Sequence, residues 1–111
     1  MKNMKFRIHF AENTRDASVE AYKIQEGDLI WLGTNEHYPV ATVDVDDIED
    51  VFVQMQSGIP PTNFVAWWEN EAVTPWKKDR SMMVGDIIIN VDTDEAFMVA
   101  PVGFVSIKVE L

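Results

Sequence analysis

Apolar and polar residues alternate over residues 5–10, with Phe6, Ile8 and Phe10 on one face and Lys5, Arg7 and His9 on the other. A period of two predicts a half-buried strand. Asn13-Thr14-Arg15-Asp16 is rich in turn formers, and residues 18–24 predict a second strand with weaker patterning. Glu26-Gly27-Asp28 predicts a turn, because glycine tolerates positive φ and aspartate bonds the backbone that follows it. Leu29-Ile30-Trp31-Leu32 is apolar on both faces, which predicts a central strand with Trp31 in the core. Gly33-Thr34-Asn35-Glu36 ends that strand, and extended structure resumes over residues 39–45.

The period then changes. Ile48, Val51, Phe52 and Met55 stand at i, i+3, i+4 and i+7, one face of a helix over residues 48–56. Asp44, Asp46 and Asp47 precede it as competent N-caps, and Glu49 and Asp50 fall in the first turn, where the helix dipole favours them. Ser57-Gly58 stops the helix and Pro60-Pro61 prevents its continuation. Thr62 or Asn63 can cap a short second helix reaching Glu71, which would gather Phe64, Trp67 and Trp68, although residues 64–68 also suit a strand. Residues 87–91 predict an apolar strand, Asp92-Thr93-Asp94-Glu95 a hairpin turn into residues 97–99, and Pro101-Val102-Gly103 another turn. In the last strand Val105, Ile107 and Val109 face inward, while Ser106 and Lys108 face out. The expected fold is α+β in one domain over residues 1–111. It is a curved, mainly antiparallel sheet of about six strands, ending in a meander, with the Ile48 helix packed on one face.

Composition narrows the function. The 111 residues suffice for one core. Cysteine is absent, so disulfides and thiolate metal sites are excluded, which fits the cytoplasm of a bacterial host. No apolar run approaches a membrane span and no signal-peptide pattern opens the chain. The net charge of −10 opposes binding to nucleic-acid phosphates and anionic membranes. It serves solubility, and it also suits docking on a basic surface.

The densest acidic feature is Asp44, Asp46, Asp47, Glu49 and Asp50, five carboxylates within seven positions. It lacks the glycine and the distant glutamate of an EF-hand calcium loop. Helix capping explains part of it, and an acidic edge offered to a partner is compatible with capping. Asp92, Asp94 and Glu95 read as a hairpin tip, and His9 and His37 as solvent-exposed side chains rather than a zinc site. Ser81 has no nucleophile-elbow pattern around it. Trp67, Trp68 and Trp76 are read first as core cover, and also as candidate partner contacts, since tryptophan supplies large apolar area with few torsions to freeze. Lys77, Lys78 and Arg80 follow Trp76 as the one basic patch. An aromatic beside three cations is the basis of an alternative reading, a PUA-like or small-barrel RNA-binding module.

The segment Ile48-Glu49-Asp50-Val51-Phe52, a proline-bearing loop, Arg80-Ser81-Met82-Met83-Val84-Gly85-Asp86 and Gly103-Phe104 occur in this order. The arrangement resembles the YodL-like domain proteins, chiefly over residues 47–109. The resemblance implies a small domain carried by phages or plasmids, with no catalytic residues to transfer. Ser81, Gly85, Asp86, Gly103 and Phe104 match its motif with a role in the fold. The expectation is a non-enzymatic acidic protein, without cofactor or metal, that modulates or inhibits a host protein through its negative surface.

Overall fold

The structure, a computed structural model, describes residues 3–32, 36–57 and 66–110. Within these residues the strands are β1 (Met4–Ala11), β2 (Leu29–Trp31), β3 (His37–Val45), β4 (Val73–Pro75), β5 (Ile87–Asn90), β6 (Ala96–Val99) and β7 (Phe104–Glu110). They join in one sheet of order β2-β7-β6-β5-β1-β3-β4, antiparallel throughout except for the parallel pair β2 and β7. The helices are α1 (Thr14–Lys23) and α2 (Ile48–Gln54), with a single 3-10 turn at Trp67–Glu69.

Successive strand residues point to opposite faces, and β5 shows why the sheet needs two covers. Ile88 joins Phe6, Ile8, Phe10, Val51, Met55 and Trp67 in one core cluster, under α2. Ile87 and Ile89 join Ala21, Ile30, Met98 and Ile107 in the other, with Ile24 of the α1 exit packed on it. The two helices therefore lie on opposite faces. A register shift between Ile8 and His9 in the β1–β3 ladder lets the adjacent Val40 and Ala41 both be buried. The carboxyl-terminal β5-β6-β7 meander and the inward Ile107 match expectation.

Three expectations are corrected. Residues 18–23 belong to α1 and Ile24 is its C-cap, so they form no strand. Asn13 caps α1 by accepting from the Asp16 amide at 3.1 Å, Ala17 and Ala21 form its buried stripe at i, i+4, and the apparent strand formers Val19 and Tyr22 are exposed. The 29–32 segment is not central: β2 lies at the end of the sheet order, with Ile30 and Leu32 buried but Trp31 57% exposed. Its alternation is real, and its outward positions happen to be apolar. The sheet also gains β4, and the second helix makes the single-cover picture incomplete. The expected turn at Gly33, Thr34 and Asn35, the stop at Gly58, Pro60 and Pro61, and the cap at Thr62 or Asn63 with Phe64 lie outside the described residues.

Helix α2 follows its predicted face with one graded difference. Val51 and Met55 are fully buried, whereas Ile48 and Phe52 are only partly so. Met55→Ala is expected to cost about 2–5 kcal/mol, and Phe52→Ala only about 1–2, below the roughly 3–5 of a fully buried phenylalanine. Urea unfolding of the two variants checks the order.

Candidate partner-binding face

The position of α2 fixes the acidic cluster. Asp47 in extended geometry (φ −155°, ψ 147°) is the N-cap, its Oδ1 accepting from the Glu49 amide at 2.7 Å. Asp44 stays on β3, half-buried, its amide bonded to the Ala72 carbonyl. With Val51 and Met55 locked into the core, Glu49 and Asp50 must point outward, and Asp46 and Asp47 are exposed beside them. The ion pairs among the described residues are Lys77–Asp79 and Arg80–Asp86, and neither includes one of the five clustered carboxylates, although Lys5 stands opposite Asp44 in the β1–β3 ladder.

One turn along α2 from the acids, Phe52 opens onto a hollow of about 400 Å³ between the helix and the β6–β7 turn. Val84, Val99, Ala100 and Phe104 form its apolar wall and Glu49 stands at its rim. Gly103 (φ 70°) closes that turn with an Ala100 amide bond to its carbonyl, and places Val102 beside the hollow, 90% exposed. This wall was missed in the sequence. The available signal was Val102-Gly103-Phe104, an apolar residue on each side of the glycine that closes the turn. No group of three or more His, Cys, Asp or Glu side chains suited to a metal ion occurs among the described residues.

The three tryptophans separate. Trp67 is core, not a partner contact: it is fully buried, edge-on to Phe10, and its Nε1–H donates to the carbonyls of Asp79 and Arg80. Trp68 is half-buried against Trp67, and Trp76 is 54% exposed. The basic patch separates too. Lys77 lies over the Tyr38 ring and 3.9 Å from Asp79, and Lys78 over the Trp68 ring. Arg80 turns inward to grip Asp86 with both terminal nitrogens at 2.8 Å while its guanidinium covers the Phe10 ring. Its partner is thus Asp86, six residues on within the same motif. Ser81 bonds across the chain rather than within its own turn, its hydroxyl accepting from the Ser57 amide. Burial and a hydrogen bond donated to Asp79 push the Tyr38 hydroxyl up to about 12.

The histidines correct a further expectation, since His9 and His37 are 5% and 6% exposed. His9 faces the core side that alternation assigned to solvent, because α1 covers that face. Burial, then the charge of Arg7 and the proximity of His37, lower its pKa to about 4. The unfolded chain, with an ordinary value near 6.5, takes up a proton between pH 6.5 and 4 that the folded chain refuses. Stability is therefore full above pH 6.5 and is expected to fall by about 3 kcal/mol as pH drops to 4. Urea titrations at pH 7.5 and 4.5, with and without His9→Gln, check this: the substitution should flatten that part of the profile.

Comparison of the chain with family models, with curated proteins and with solved structures gives no match.

Proposed function

We propose that this is a non-enzymatic binding protein whose α2 face docks on a host protein with a basic surface. The setting is the one that the YodL-like resemblance implies, a phage or plasmid factor that modulates its target in the bacterial cytoplasm. The observation that carries the reading is the juxtaposition at α2. Exposed carboxylates, in no ion pair among the described residues, border an open apolar hollow, so one face offers both steering and a place for an apolar anchor.

Each half alone has an ordinary explanation: acids keep a domain soluble, and small hollows are common. Together they match the anatomy of a protein interface, an apolar centre inside a charged rim. Unneutralised charge of one sign raises association rates with an oppositely charged surface and is screened by salt. The RNA-binding alternative receives less support. Arg80 is committed to Asp86, and Lys77 and Lys78 rest on aromatic rings of the chain itself.

The test is affinity capture from bacterial lysate with wild-type protein and the Glu49→Lys/Asp50→Lys variant as parallel baits. Both changes are at exposed positions and leave the Asp47 cap in place, so circular dichroism should be unchanged. A protein held by the wild type, released by salt and lost from the variant is the expected result. Identical captures by both baits would leave the acidic face a solubility feature.

A further inference from the structure

On the opposite side of the sheet from α2, two small hollows share a wall. One, of about 220 Å³, is lined by Asn13, Asp16, Ala17, Glu20, Glu36 and His37. The other, of about 260 Å³, is lined by Glu20, Leu29, Ile30, Trp31, Glu36 and His37. Glu20, Glu36 and His37 belong to both. The His37 ring is buried, with Nε2 donating to the Gly85 carbonyl at 3.1 Å. A carbonyl can only accept, so in the neutral ring Nδ1 is left as a bare acceptor, and it has no partner among the described residues. A buried acceptor without a donor calls for one from outside.

We propose that these joined hollows bind a guanidinium group. Three carboxylates, Asp16, Glu20 and Glu36, supply the charge, and the His37 Nδ1 supplies a further acceptor. Trp31 and Leu29, each more than half exposed, give an apolar and aromatic floor where a flat cation can stack. A divalent ion needs ligands converging on a point, and no such group occurs among the described residues. A planar cation with five spread donors is served by separated acceptors, whereas an ammonium is a compact point charge. The wall that the two hollows share places one guanidinium between them. Its source is either free arginine or an arginine of a protein segment.

The experiment titrates the protein with methylguanidinium, arginine, and the peptides Gly-Arg-Gly and Gly-Lys-Gly at fixed ionic strength. Tryptophan emission, assigned with Trp31→Phe, and the ¹⁵N resonances of the His37 ring are followed. Expected is saturable binding of the guanidinium compounds, tighter than Gly-Lys-Gly, with a shift at Nδ1. Glu20→Gln and Glu36→Gln should each weaken it by about tenfold, the loss of one charge-assisted hydrogen bond. Glu49→Gln/Asp50→Gln should leave it unchanged. A free-arginine affinity equal to that of Gly-Arg-Gly assigns a small-molecule ligand, and preference for the peptide assigns a protein one. Absence of saturation with all three guanidinium compounds, or equal affinity in Glu20→Gln and wild type, would overturn the site.

Discussion

Arg80→Met is expected to destabilise the protein by about 3–5 kcal/mol, the cost of leaving a buried charge without its partner. Asp86 has no exposed surface and accepts four hydrogen bonds, from the amides of Ala11 (2.9 Å) and Met83 (2.7 Å) and from both terminal nitrogens of Arg80. Arg80 in turn donates to the carbonyls of Ser81 and Ala11. The pair thus staples the 80–86 loop to the end of β1. Burial alone would lower the Arg80 pKa, but the hydrogen bonds and charge of Asp86 outweigh it and the pKa is raised, so the guanidinium stays charged. Arg80→Lys keeps the charge but cannot reproduce the two-pronged grip, and should fall between wild type and methionine. Urea unfolding of the two variants decides. A cost below about 1 kcal/mol for methionine would mean that water replaces the guanidinium and the loop is not stapled.

Gly85→Val should be as severe, for two independent reasons. The residue has φ 98°, a conformation that a β-branched side chain resists at a cost of about 1–3 kcal/mol. A Cβ built there would also lie 2.7 Å from the Ala17 Cβ and 2.8 Å from the Ala17 carbonyl oxygen, so α1 would have to move. Over-packing of that kind adds about 1–3 kcal/mol, for an expected total of about 2–6. Because Gly85 also bonds Val99 through its amide and His37 through its carbonyl, the turn cannot shift without breaking both. Gly27→Ala is the control: its φ is 83° but nothing crowds it, so only the backbone strain should appear. Equal thermal midpoints for the two variants would remove the packing argument.

What could be read from the chain tracks the physics of each element. β1 and α2 were legible because their apolar period is clean, although β1 is buried on both faces from Ile8 onward. The Asp47 cap was legible, as one of three candidates, because capping is a local rule. Helix α1 was not, because its buried stripe is alanine, too weak a signal against Val19 and Tyr22, which favour strands yet point to solvent. The Asn13 cap three residues before Asp16 and the Ala17–Ala21 spacing were the evidence for it. Trp31 and His9 were misplaced for one reason: their exposure depends on what covers a face or an edge, which is a tertiary fact. The acidic half of the candidate face was visible as composition. Its apolar half was not, since Phe52, Val99 and Phe104 meet only when the sheet and α2 are assembled.

The claim that carries the functional account is that acids and hollow form one site. The direct measurement is an amide chemical-shift titration with a short peptide of alternating lysine and leucine, on wild type and on Glu49→Lys/Asp50→Lys. Shifts are expected to concentrate at Glu49, Phe52, Val99 and Phe104, to diminish with salt and to be lost in the variant. Shifts spread over acidic residues on both faces of the sheet, with the hollow silent and the variant responding like wild type, would contradict that claim.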